Sequence, residues 1–251
     1  MRHNMPPKSD QATPLERGYI AAMTCSNAAT IGPCVAVFDL DGTLTWRDTL
    51  LPFLTGYALR HPSRFKTLWR LPLAIAGYLG SPDRGLLKSR AIRAVMGGDR
   101  RSTIEAWAEA FVGGLKRRAF RPAALAAVAA HRAAGDHLVL LSASPDLYVP
   151  GIGRLLGFER TLCTEVEWRH DASAEDRLDG ALRTLNRRDE EKSRCLAWLR
   201  TQSPKLPVVA YGNSRSDIPH LREADRALLV NGSAAARRSA TAAGIPVAEW
   251  R

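Results

Sequence analysis

Residues 35–44 read Val-Ala-Val-Phe-Asp-Leu-Asp-Gly-Thr-Leu, and this stretch restricts the fold more than any other. Cys34 to Phe38 is short, apolar and rich in β-branched residues, which predicts a buried strand. Carboxylates at 39 and 41 then meet Gly42, so the strand ends in acidic residues at a turn. In an open α/β sheet, the carboxyl edge of the strands is where ligands bind. Alternation along an extended chain sends Asp39 and Asp41 to one side and Leu40 to the other. Two carboxylates aimed at one point repel each other unless a positive group sits between them, and a hard dication such as Mg2+ meets that need. A plain Asp-Gly turn accounts for Asp41 and Gly42 but not for Asp39 or Thr43.

Beyond Leu44 the pattern turns helical for some eighty residues, with helices expected over Pro52–Leu59, Phe65–Leu79, Leu86–Met96 and Thr103–Phe111. Gly97-Gly98 and Gly113-Gly114 punctuate them. An Ala-rich helix follows at Pro122–Ala134 and stops at Gly135. Strands are then expected at His137–Leu141, Thr161–Val166, Leu206–Tyr211 and Ala227–Val230, with a helix at Asp189–Arg200. Leu178–Leu185 reads as a hairpin arm bending near Gly180, and Arg169–Arg177 as a loop insertion. Strands alternating with helices predict an α/β fold: a Rossmann-like parallel sheet with helices on both faces, plus a helical cap inserted after the first strand. The expected division is a mobile leader at 1–33, a core from 34–45 and 120–251, and a cap at 46–119. Lids of this kind exclude water and select substrates.

The chain has 251 residues and a net charge of +11, and its 45% hydrophobic and 24% charged content is that of a globular protein. The excess charge is local. Ten basic residues lie between Arg60 and Arg101, opposed in that segment only by Asp83 and Asp99. Such a patch favours an anionic partner: a phosphorylated substrate, nucleic acid or an acidic membrane. Nucleic acid is not expected, because no base-stacking platform or DNA-reading motif accompanies the arginines. Cys25, Cys34, Cys163 and Cys195 are scattered without a metal-ligand spacing, which points to a reduced, cytoplasmic setting. The most apolar run, Leu71–Leu79, contains Pro72 and Gly77 and is far short of the ~20 residues that span a bilayer.

Each expected strand end supplies a polar residue suited to phosphoryl transfer. Ser142 follows His-Leu-Val-Leu-Leu, Lys192 opens a helix after a polar loop, and Gly212-Asn213-Ser214-Arg215-Ser216-Asp217 follows Val-Val-Ala-Tyr. Taken alone, Ser142 reads as a turn hydroxyl, Lys192 as a solvated helix residue and Asp217 as a helix initiator. Together and in this order, with Asp-Leu-Asp-Gly-Thr-Leu, they resemble the four motifs of the haloacid dehalogenase superfamily of phosphatases, over essentially Cys34 to Trp250. The resemblance is to the branch with a helical cap, which includes phosphoserine phosphatase.

That resemblance implies a mechanism. Asp39 attacks phosphorus and forms an aspartyl-phosphate, while Asp41 protonates the leaving oxygen and later deprotonates water. Ser142, Ala143 and Lys192 hold the phosphoryl group. Asp39, Asp41, Asn213 and Asp217 hold Mg2+. One departure stands out. The family's fourth motif begins Gly-Asp, whereas Asn213 supplies an amide oxygen without charge, so weaker metal binding is expected, with Asp217 carrying more of the role. Ser142-Ala143-Ser144-Pro145 and the basic, apolar cap resemble relatives acting on lipid or other non-amino-acid phosphates more than phosphoserine enzymes. A lipid or other amphiphilic phosphomonoester is therefore expected, met at an anionic membrane surface. The alternatives are a phosphoserine-type metabolite phosphatase and a non-catalytic binder of phosphorylated ligands.

Overall fold

The computed structural model describes residues 33–62, 83–115, 117–170 and 175–251. The first expected strand forms as β1 (Val35–Phe38), with all four residues buried. It is flanked by β2 (His137–Pro145) and β6 (Val208–Gly212), and β3 (Arg160–Thr164), β7 (Arg226–Val230) and β8 (Val247–Ala248) complete a sheet in the order β3-β2-β1-β6-β7-β8. Every pairing in it is parallel. The expected α/β architecture is therefore present, and the ends of β1, β2 and β6 lie side by side at the carboxyl edge.

Alternation along the central strands feeds two separate cores. Ala36, Phe38, Leu138 and Leu140 face one layer, which contains α4 (Pro122–Ala133) and α5 (Val149–Leu156). Val35, Val37, Val139 and Leu141 face the other, against α6 (Glu190–Gln202), α7 (Ile218–Glu223) and α8 (Ala234–Ala242). Between β1 and β2 lie α1 (Leu50–Arg60), α2 (Arg84–Met96) and α3 (Arg101–Gly114). The chain leaves and re-enters the core at one place, where Thr45 bridges Phe120 and the Arg121 N–H donates to the Leu44 carbonyl at 2.9 Å. An aromatic cluster of Phe53, Trp107, Phe111 and Tyr148 packs the insertion onto the core.

Several expectations need correction. The segment Thr161–Val166 is not one strand: it ends in the main sheet at Thr164, and Val166 starts β4 (Val166–Arg169). That strand pairs antiparallel with β5 (Arg177–Leu182) in a separate ribbon. Gly180 lies inside β5 rather than at a bend, with φ +87°, because the ribbon rests on α2 so closely that a Cβ there would fall 2.8 Å from the Arg93 Cα. The same ribbon answers the basic patch. Arg93 pairs with Asp179, Arg100 with Glu175 at 3.5 Å, and Arg101 with Asp176 at 3.1 Å. Carboxylates distant in sequence thus neutralise arginines that looked unopposed. The expected helix at Phe65–Leu79 and nearly all of the expected leader lie outside the described residues. Among the described residues, no helix is long and apolar enough to cross a membrane.

At the opposite end of β1, Cys34, His131 and Asp136 converge although nothing in their spacing announces it. Asp136 accepts the Cys34 N–H at 2.8 Å and lies 2.6 Å from His131 Nδ1, and His131 Nε2 lies 2.7 Å from the Tyr211 hydroxyl. Both imidazole nitrogens are engaged, so the cluster is a buried hydrogen-bond relay, and burial lowers the His131 pKa despite Asp136.

Candidate active site

Asp39 follows β1 directly, and its N–H donates to the Tyr211 carbonyl of β6 at 3.1 Å, which fixes its backbone in the sheet. The residue is 7% exposed. Lys192, on the first turn of α6, donates from Nζ to Asp39 Oδ1 at 2.7 Å and to Asp217 Oδ1 at 2.6 Å. Thr43 Oγ1 donates to Asp39 Oδ2 at 3.0 Å. Burial lifts the Asp39 carboxyl to about 7; Lys192 pulls it down, and the Asp217 and Asp41 carboxylates push it up. Burial alone would lower the Lys192 pKa, but Asp217 and Asp39 outweigh it and raise it.

Asp217 precedes α7, and both its oxygens have protein donors. Oδ2 accepts the Asn213 N–H at 3.1 Å, the Ser214 N–H at 2.9 Å and the Ser214 hydroxyl at 2.8 Å. Although burial acts against it, Lys192 holds this carboxyl well below the usual carboxylate range. Asp217 therefore ties the loop after β6 to Lys192.

Asp41 sits in a wide turn closed by the Thr45 N–H donating to the Leu40 carbonyl at 3.0 Å. Its Oδ1 accepts the Thr49 N–H at 2.8 Å and the Thr49 hydroxyl at 2.7 Å, and its Oδ2 accepts the Ser144 hydroxyl at 2.6 Å. Burial raises the Asp41 pKa, helped by Asp48 and opposed by these hydrogen bonds. Gly42 has φ +84°, and a Cβ there would lie 2.1 Å from Asn213 Nδ2. The Asn213 amide thus abuts the backbone of this turn.

These groups line a cleft of about 600 Å³ that brings together Asp39, Asp41, Ala143, Lys192, Asn213 and Asp217. Ser142 is buried beside it without lining it, and its Oγ accepts the Ser144 N–H at 3.0 Å. Sequence reasoning missed Thr49, Ser144, Lys88 and Asn186. Alternation offered a signal for Ser144, which shares a side with Ser142. Lys88 is the one lysine in a helix of arginines; Thr49 and Asn186 carry no local signature. Lys88 reaches from α2 to donate to the Ala143 carbonyl and to Asn186 Oδ1, the latter at 2.6 Å. Burial pushes its pKa down to about 8 against the pull of Asp41 and Asp48. One wall of the cleft is apolar, formed by Trp46, Leu50, Leu51, Leu54, Leu87 and Ala91.

The available donors suit a hard dication. The Asp39 carboxylate, the Asp41 main-chain carbonyl and the Asn213 amide oxygen are oxygen ligands, and no described histidine or cysteine lines the cleft. The surplus of carboxylate over ammonium around Asp39 is an electrostatic demand for such an ion.

A larger groove of about 750 Å³ lies between α3 and α5, lined in part by Asp146, Tyr148 and Trp168. It contains none of the expected site residues. Asp146 Oδ1 accepts the Val166 N–H at 3.1 Å, and burial raises this carboxyl to about 6.

The description of haloacid dehalogenase-like hydrolases fits residues 36–222. The chain is 33% identical to Protein CicA of Caulobacter vibrioides over 211 residues, 84% of this chain and 92% of that protein. A Bordetella pertussis Tohama I protein of unknown function superposes with a TM-score of 0.71 at 23% identity, covering 86% of this chain and 98% of that one. A phosphoserine phosphatase structure, a phospho-aspartyl intermediate analogue, gives a TM-score of 0.58 at 14% identity, covering 86% and 93%. At these identities the two structures speak for the fold.

Proposed function

Because the chain belongs to the haloacid dehalogenase-like hydrolase family, we propose that it is a Mg2+-dependent phosphomonoester hydrolase that works through an aspartyl-phosphate at Asp39. The observation that carries this reading is the paired environment of the two carboxylates. Asp39 is buried against Lys192 and Thr43, while Asp41, two residues on, is clamped by Thr49 and Ser144 with its pKa raised. Burial raises both carboxyls, but Asp39 is held by an ammonium and Asp41 by neutral donors, which supports Asp39 as the nucleophile and Asp41 as the acid and base.

In the first step an Asp39 carboxylate oxygen bonds to phosphorus as the bond to the leaving oxygen breaks, and the Asp41 proton goes to that oxygen. In the second, water attacks the same phosphorus, Asp41 takes its proton, and the bond to Asp39 breaks, releasing inorganic phosphate. Asp39, the Asp41 carbonyl and Asn213 would hold Mg2+, which supplies charge neutralisation at the phosphoryl group. Asp217 acts here by orienting Lys192 and the loop after β6. Ala143 borders the phosphoryl position, and Ser142 braces the end of β2 that carries Ser144. The helices between β1 and β2 serve as the cap.

An amphiphilic leaving group is favoured by the apolar wall of Trp46, Leu50, Leu51, Leu54, Leu87 and Ala91, which a small zwitterionic leaving group would leave uncovered. Contact with an anionic membrane would rest largely on Arg64, Lys66 and Arg70, which lie outside the described residues. The test is hydrolysis of p-nitrophenyl phosphate, phosphoserine and a lysophosphatidic acid, each with Mg2+ and with chelator, by wild type and Asp39→Asn. Turnover should require Mg2+ and vanish in the variant, and acid-quenched wild type should carry a phosphoryl adduct on the peptide containing Asp39. Undiminished turnover by Asp39→Asn refutes the mechanism. Preference for phosphoserine over the lipid overturns the substrate class alone.

A further inference from the structure

Lys88 belongs to the helical insertion, yet its ammonium lies in the cleft against the carboxyl end of β2. Its acceptors, the Ala143 carbonyl and Asn186 Oδ1, are both neutral. Among the described residues it makes no ion pair. An ammonium has three donors, so one N–H remains for a ligand. A half-buried ammonium whose hydrogen-bond acceptors are all neutral is a ready partner for an incoming anion.

The balance at the base of the cleft shows what is missing. Lys192 is shared between Asp39 and Asp217, with Asp41 close by, so a single ammonium faces more carboxylates than it can neutralise. Beside the Mg2+ proposed at Asp39, Lys88 is the ammonium of this cleft whose acceptors are neutral, and it stands against Ala143.

We propose that Lys88 is a substrate-contacting residue whose free N–H binds a non-bridging oxygen of the phosphoryl group, so that the insertion itself completes the anion site. This rests on the hydrolase reading for its substrate, but the anion site exists whether or not turnover follows. The groups facing Lys88 are Asp41 and Asp48 from the segment after β1, Arg188 from the loop before α6, and Cys163 from β3. Since the lysine loses its proton near pH 8, phosphate affinity should fall above that pH in wild type.

The test is calorimetric binding of inorganic phosphate by wild type, Lys88→Met and Lys88→Arg, at about pH 7 and about pH 9, with thermal unfolding measured alongside. Charge-assisted hydrogen bonds of this kind predict a roughly 10–100-fold loss of affinity in Lys88→Met at the lower pH, and partial recovery in Lys88→Arg. The decline with pH should be smaller in Lys88→Met, where the Asp39 carboxyl near 7 is left to titrate without the lysine. Relief of a partly desolvated charge offsets the loss of two hydrogen bonds, so the unfolding temperature should change little. Unchanged phosphate affinity in Lys88→Met overturns the proposal. So does an affinity loss accompanied by a matching loss of thermal stability, which would make Lys88 a strut for the end of β2. Absence of turnover by wild type counts against the hydrolase reading, and phosphate binding then still decides the role of Lys88.

Discussion

Replacing Gly180 by alanine tests how the ribbon of β4 and β5 positions the helix that bears Lys88. Two separable costs follow from the structure. The first is the left-handed backbone, φ +87°, which costs an L-residue about 1 kcal/mol. The second is contact: the new methyl would lie 2.8 Å from Arg93 Cα and 2.9 Å from Arg93 N and Cβ. Since the backbone of α2 cannot rotate away as a side-chain tip does, helix and ribbon must separate, at about 1–3 kcal/mol for overpacking. The sum is about 2–4 kcal/mol. Gly135 supplies the control, because it has φ +77° and nothing within 4 Å of its would-be Cβ. Gly135→Ala should therefore cost only the backbone share, about 1 kcal/mol. Urea unfolding of both variants at equal m-value would give the difference, expected at about 1–3 kcal/mol. Turnover should fall in Gly180→Ala and not in Gly135→Ala, since only the former displaces α2. Equal destabilisation by the two substitutions would show that the close approach to Arg93 carries no energy.

Two further outcomes follow from the electrostatics. Asp146 has its folded pKa raised from 3.8 to about 6, so it favours the folded state at low pH and this contribution is lost as pH rises through about 6. Asp146→Asn should therefore be more stable than wild type by about 1–3 kcal/mol at about pH 7.5 and no more stable below about pH 4, as read by unfolding at both values. Asn213→Asp adds a charge to the proposed metal donors, so Mg2+ titrated by calorimetry should bind about tenfold more tightly; unchanged affinity would remove residue 213 from the metal's ligands.

What could be read in advance was whatever depends on neighbours along the chain. The apolar run into Asp39, Leu40 and Asp41 announced both the central strand and its carboxylates, and the strand end before Asn213 and the helix start at Lys192 were visible through alternation and helical periodicity. Groups whose partners come from other elements were hidden. Thr49 is eight residues from the Asp41 it clamps, and Lys88 meets Asn186 across the join between insertion and core. Splitting Thr161–Val166 between two sheets depends on where Asp146 captures the Val166 N–H, and no local pattern encodes that. Charge counting along the sequence failed for the same reason, because the acids opposing Arg93, Arg100 and Arg101 arrive from the ribbon.

The relay at the far end of β1 binds parts of the molecule that would otherwise answer to separate pressures. Tyr211 presents its hydroxyl to His131 and, through its own carbonyl, holds the Asp39 N–H. The backbone of the proposed nucleophile is thus moored to a residue whose ring is anchored among buried groups. Drift at positions 131 or 136 is therefore not free: a change tolerated by the hydrophobic interior still arrives, through one tyrosine, as a displacement of Asp39.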